Sequence, residues 1–248
     1  MIICLIIKTI NLSKKKVETE NNLVLIVGSK PGAKFPDLDV SYIYTANGAA
    51  ERAKEYLSKY SKASFASIIS GREFENNLEV QKRVVSANPK ELISRSDYIN
   101  TSNYNFSNSI KFKFYSNFKQ FLFQGQFFKL NLFDVLFCEF AYMSSVKEKI
   151  NFLLSTIKNF KFNGVSTGFF SILYALKFHP GSKVIITGIG MQGGGHFYNQ
   201  KSTRYTNRSK VDKELMNCMK LVYKKRLFTI DSELAETTGI NFLDVKTF

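Results

Sequence analysis

No stretch of this sequence approaches the roughly 20 consecutive apolar residues that cross a bilayer as a helix, so none is expected. Met1 to Ile7 is apolar, but Lys8 ends the run. A secretory signal carries its positive charge before the apolar stretch and a small-residue cleavage site after it, and neither pattern is met. Residues 1–20 are expected to form an N-terminal extension, such as an added strand, with Lys14-Lys15-Lys16 solvated. Cysteine is scarce: Cys4, Cys138 and Cys218 stand far apart, without the spacing of a zinc site or a disulfide framework. That usage suits a reducing cytoplasm. Linkers rich in proline or serine and internal repeats are also missing, which leaves one domain over residues 21–248.

Acids are few. Twenty Asp and Glu face 35 Lys and Arg, for a formal charge of +15. Such a balance is either an electrostatic footprint for nucleic acid, anionic lipid or phosphorylated substrates, or the composition of an AT-rich genome. The charge is uneven. Between His196 and Arg226 stand nine Lys or Arg and two acids, Asp212 and Glu214, which marks this stretch as an anion-facing surface.

Apolar residues make up 44% of the chain, enough for a sizeable core. Leu23 to Val27 is a short, continuously apolar run of the kind buried on both faces of a parallel sheet. Ser41 to Thr45 and Phe65 to Ile69 read as further strands, with a helix over Asn47 to Tyr60 between them. Arg83 to Ser86 is expected as a strand and Pro89 to Ile93 as a short helix. Later come helices over Val146 to Phe160 and from Gly164 to Leu176, a strand over Lys183 to Thr187, and a helix over Val211 to Lys225. A strand over Leu227 to Ile230 and a helix over Ser232 to Thr237, stopped by Gly239, close the chain. Alternating strands and helices imply an α/β, Rossmann-like domain with a mostly parallel sheet. Residues 98–143 are crowded with phenylalanine that fits neither the helix nor the strand period, and are expected to form an irregular helical insertion or lid-like subdomain, its aromatic stripe either core or, where exposed, a surface for a membrane or a partner.

Three places suit anion chemistry. Gly28-Ser29-Lys30-Pro31-Gly32 follows the first buried strand, where backbone amides can approach a phosphate, although its spacing is neither the dinucleotide fingerprint nor a Walker loop. Ser166-Thr167-Gly168 opens a helix, where a hydroxyl pair is a cap and the free amides attract a carboxylate or phosphate. The glycine-rich stretch from Gly188 through Gly190 to Gly195 lies at the carboxyl end of a core strand, where ligands of open α/β sheets bind, with His196, Tyr198 and Tyr205 just beyond.

The segment Val165 to Leu176, with the following strand and Thr187-Gly188-Ile189, resembles the Ser/Thr-Gly helix and next strand of sialyltransferases. Val27-Gly28-Ser29 with Pro31 resembles their first nucleotide loop, and Asn47 matches their nucleotide-contacting asparagine. Leu227 to Leu234 resembles the strand and helix near their end. The similarity covers residues 164–240, with a weaker extension over 23–60. It implies a transferase that takes sialic acid or a related ulosonic acid from a CMP-activated donor to a glycan acceptor, inverting and without metal or other cofactor. It assigns Gly28, Ser29 and Asn47 to the nucleotide and Ser166, Thr167 and Gly168 to the sugar carboxylate or the phosphate. Tyr198 and Tyr205 would hydrogen-bond the departing phosphate. In the segment resembling the one that carries the bacterial catalytic histidine, this chain has Arg208, and Arg204 nearby. Arginine stays protonated and is a poor base, so His196 is the candidate base. A nucleotide-binding protein of the same fold without catalysis is the alternative. Nucleic acid ranks last as a partner, since no Arg/Lys-Gly-aromatic RNA-binding signature is present. The acceptor would be a surface or lipid-linked glycan, with the basic surface peripheral to the inner membrane.

Overall fold

The computed structural model describes residues 22–100, 104–107, 109–128, 143, 145–159, 164–191 and 207–248. The expected N-terminal extension lies outside them.

Eight strands form one sheet in the order β5-β4-β3-β2-β1-β6-β7-β8. They are β1 (Leu23–Val27), β2 (Tyr42–Ala46), β3 (Ser64–Ile69), β4 (Glu91–Ser94), β5 (Lys111–Phe114), β6 (Lys183–Thr187), β7 (Leu227–Thr229) and β8 (Asn241–Phe242). Every neighbouring pair is parallel. The helices are α1 (Ala50–Lys59), α2 (Gly71–Asn76), α3 (Leu78–Ala87), α4 (Asn117–Phe128), α5 (Val146–Asn159), α6 (Thr167–Phe178), α7 (Asn207–Tyr223) and α8 (Ser232–Thr238). Among the described residues no helix is long and apolar enough to cross a membrane.

Parallel strands bury both faces, which explains the unbroken apolar runs. Val24 and Ile26 of β1 and Val184 and Ile186 of β6 point into one core, with Phe169, Phe170, Ile172 and Leu173 of α6. Leu25, Val27 and Ile185 point into the other, with Ala50, Ala53 and Tyr56 of α1 and Val80 and Val84 of α3. The sheet is thus wound on both sides, as the α/β reading requires.

Two expectations are corrected. Arg83 to Ser86 is helix, not strand: Asn77 caps α3 by accepting from the N–H groups of Glu79 and Val80 at 3.1 and 3.3 Å. Val80, Val84 and Ala87 then face the core at helical spacing, and Asn88 ends the helix in the left-handed region. Residues 91–94 are a strand, not a helix, because Leu92 and Ile93 are fully buried between β3 and β5. In the Phe-rich segment, Lys111–Phe114 belongs to the sheet itself; its Lys-Phe-Lys-Phe alternation is that of a half-buried edge strand. Phe123 and Phe127 of α4 join the α6 core, with Phe123 5.0 Å from Phe170 and 5.5 Å from Phe127 between ring centres. Phe118 and Leu122 of the same helix stay exposed.

No helix lies between β1 and β2. That connection is covered instead by the chain end: Pro36 and Thr247 form an antiparallel bridge, and the Phe248 ring lies against Phe35, Tyr56 and Tyr60.

His179 caps the carboxyl end of α6 at the amino edge of the sheet. Its Nε2 lies 2.8 Å from the Tyr44 hydroxyl and its ring 4.2 Å from that of Tyr42. Burial first, and then the nearby Arg226, hold its pKa below the ordinary value of 6.5. The unfolded chain therefore takes up a proton near pH 6.5 that the folded ring still refuses, so this group costs stability as pH falls through that window. Urea unfolding between pH 8 and pH 5 checks this: the wild type should lose more stability on acidification than His179→Asn, which does not titrate.

Candidate functional site

The strand order reverses between β1 and β6. From β1 the chain winds outward through β2, whereas β6 leads the other way through β7. At such a switch point the two flanking loops part and leave a crevice at the carboxyl ends of the strands.

Two glycines meet there. The Gly28 N–H donates to the Thr187 carbonyl and the Lys30 N–H to the Gly188 carbonyl, both at 2.8 Å. A Cβ on Gly28 would lie 2.1 Å from the Gly188 carbonyl oxygen. Gly188 has φ +68°, and a Cβ there would lie 2.7 Å from the Gly28 oxygen. Mutual contact of the two loops therefore requires glycine at both positions. Asp231, just after β7, braces the crossing: its Oδ2 accepts from the Gly188 N–H at 2.7 Å. Burial raises the Asp231 pKa, and the Gly188 N–H and the charge of Lys30 oppose that rise. The Thr187 hydroxyl donates to the Lys34 carbonyl at 2.8 Å, tying the first loop to β6. Ser29 is buried at this loop, and Gly190 is exposed two residues beyond Gly188.

Asn47 follows β2 at the same edge. It is in the left-handed region, with φ 51°, and its Oδ1 accepts from the Ser70 N–H at 2.8 Å, bridging the ends of β2 and β3.

The α6 amino end arrives from the other core. Ser166 caps it, its Oγ accepting from the Phe169 N–H at 3.2 Å. A Cβ on Gly168 would come within 3.3 Å of Ile189, so the helix start sits on the loop that leaves β6. Four side chains ring it. Arg95, after β4, donates to Thr167 Oγ1 at 3.3 Å and to Gln120 Oε1 at 2.9 Å, with its guanidinium 5.0 Å from the Phe170 ring centre. Gln124 Oε1 accepts from the Val165 N–H at 3.1 Å, and its Nε2 is buried without a hydrogen-bond partner. Asp212 of α7 accepts from the Ser166 N–H at 3.0 Å. The helix dipole, the α6 amides and the Arg95 cation favour an anion at this corner, and the buried Asp212 carboxylate on the Ser166 N–H opposes them.

The structure thus brings Gly28, Ser29, Asn47, Ser166, Thr167, Gly168, Gly188 and Gly190 to one edge of the sheet. His196, Tyr198 and Tyr205 lie outside the described residues. Arg208 stands in the first turn of α7, one turn before Asp212. Sequence reasoning missed Arg95, Gln120, Gln124, Asp212 and Asp231. Gln120 and Gln124 did leave a signal, two amides four residues apart inside a phenylalanine run. Arg95 left none, because the Ser-Arg-Ser around it is an ordinary loop.

Fold and site define a doubly wound α/β protein with a crevice at the β1/β6 switch point. Neither a protein-family model nor a curated protein matches the chain. Among solved structures, the chain is similar to the sialyltransferase CstII from Campylobacter jejuni, determined in complex with a substrate analogue, CMP-3FNeuAc. The two share 13% identity over 92% of this chain and 90% of that one, with a TM-score of 0.45.

Proposed function

We propose that this protein is a glycosyltransferase that moves sialic acid or a related ulosonic acid from a CMP-activated donor to a glycan acceptor. The observation that carries the reading is the convergence of the Gly28-Ser29 loop, Asn47 and the Ser166-Thr167-Gly168 helix start on one crevice. These are the positions whose sequence resembles the nucleotide loop, the asparagine and the helix motif of sialyltransferases.

In this reading the first loop and Asn47 hold the cytidine nucleotide, and the α6 start with Arg95 holds the donor's anionic groups. The acceptor hydroxyl attacks the anomeric carbon, the bond to the phosphate oxygen breaks, and CMP leaves with inversion. Amides, the helix dipole and Arg95 stabilise the departing charge in the role a metal plays elsewhere. Tyr198 and Tyr205 donate hydrogen bonds to the leaving phosphate. The base must take the acceptor proton. His179 is held at the opposite edge of the sheet, and Arg208 is a cation, so the role falls to His196. The acceptor is a surface or lipid-linked glycan, met at the cytoplasmic face of a membrane.

Calorimetry without added metal tests the donor assignment. CMP should bind, and UMP, GMP and AMP should bind at least about tenfold more weakly, a difference of about 1.4 kcal/mol. Equal affinity for all four would remove the reading. Hydrolysis or transfer from a CMP-activated acidic sugar should then fall at least a hundredfold in His196→Ala, the scale of a lost general base. Arg208, at the position of the expected histidine, favours a second reading, a nucleotide-binding protein without catalysis. Selective CMP binding with no turnover in wild type or His196→Ala would establish that one instead.

A further inference from the structure

We propose that α5 docks this protein on an anionic lipid surface. Successive helical residues advance by about 100°, so Val146, Ile150, Leu153 and Leu154 fall within an arc of roughly 100°. A core-facing helix turns such a stripe inward. Here the stripe faces water, at 73%, 52%, 44% and 61% exposure for the four residues in order. Among residues 146–154 only Phe152 is buried, and it lies off the stripe. The helix holds its own start: the Ser145 Oγ accepts from the Glu148 N–H at 3.1 Å, and the Ser145 N–H donates to Glu148 Oε2 at 3.4 Å.

The charges select the occupant. By the same 100° advance, Lys147 borders the stripe on one side and Lys149 on the other, while Glu148 falls on the opposite side. A helix lying in a lipid interface has this arrangement, with its apolar face down and lysines reaching sideways to the headgroups. A second copy fits poorly, because a twofold pairing through the stripe brings bordering lysines of two chains together, each chain carrying +15. Anionic headgroups meet the same lysines with opposite charge. The inference needs no assumption about the reaction in the crevice.

The full chain can be tested by co-sedimentation with vesicles of phosphatidylcholine, alone or with one-third phosphatidylglycerol. Binding should be at least about tenfold tighter to the anionic vesicles and weaken as salt rises. The pair Lys147→Glu and Lys149→Glu should remove that preference, and the pair Ile150→Gln and Leu154→Gln should abolish binding. Far-UV circular dichroism and thermal melting should remain native, since Lys147, Ile150 and Leu154 are exposed and Lys149 is only half-buried. The chain has no tryptophan, so Leu154→Trp provides a single fluorophore whose emission should shift to the blue on anionic vesicles. Asn151→Trp, off the stripe, should shift less. Equal partition onto both vesicle types, no partition, or an unshifted Leu154→Trp emission overturns the proposal. So does concentration-dependent dimerisation through Ile150 and Leu154 without lipid binding, which would make the stripe a protein interface.

Discussion

Gly28→Ala should destabilise the protein by about 3 kcal/mol, the upper end of ordinary overpacking, and lower its Tm by roughly 10 °C. The added methyl would stand 2.1 Å from the Gly188 carbonyl oxygen and 2.7 Å from an Ile189 side-chain carbon. Backbone on one side leaves no flexible side chain to yield, so the loops after β1 and β6 must separate. That breaks the hydrogen bonds from Gly28 to Thr187 and from Lys30 to Gly188. Gly32→Ala is the control. Gly32, unlike Gly28, has positive φ, +70°, and nothing lies within 4 Å of its Cβ position. It should cost only the left-handed strain of about 1 kcal/mol. Denaturant unfolding of both variants separates contact from strain. Equal losses would mean that the loops are not locked together, and that the crevice is less rigid than the contact implies.

On the proposed function, Arg95→Met should weaken binding of a CMP-activated acidic sugar about thirtyfold, the equivalent of one charge-assisted contact of about 2 kcal/mol. Methionine keeps much of the stem that packs near Phe170 but removes the guanidinium that meets Thr167 and Gln120. Arg95→Lys should recover part of the loss, since it restores the charge without the planar fork. Calorimetry with CMP alone divides the two possible anions. If CMP affinity falls with donor affinity, Arg95 faces the phosphate. If only donor affinity falls, it faces the sugar carboxylate. Unchanged affinity for both ligands, with native melting, would remove Arg95 from the site.

The strands that could be recognised from sequence are the central ones. Leu23–Val27 and Lys183–Thr187 are short apolar runs that end in Gly28 and Gly188, and burial on both faces of a parallel sheet leaves them no alternation to obscure. The edges were harder. β5 is a half-buried alternation inside a phenylalanine-rich stretch, and β8 is two residues long, too short for any period. The α3 region was misread because Arg83 to Ser86 contains two valines in a row, a β-like feature. Its helix depends on the Asn77 cap and on core contacts of Val80 and Val84.

The sequence by itself determined the α/β class, the glycine breaks after β1 and β6, and the hydroxyl-glycine start of α6, because each rests on local chain chemistry. Only the tertiary structure decided that β1 and β6 lie side by side, which turns two separate glycine loops into one crossing braced by Asp231. It also decided that Arg95, Gln120, Gln124 and Asp212, from three separate parts of the chain, surround the α6 start. Contacts between residues distant in sequence come from sheet order and helix packing, and no local pattern encodes them. The outward turn of the α5 stripe has the same origin. Periodicity in sequence reveals an amphipathic helix, but which face meets solvent depends on where the rest of the chain leaves room.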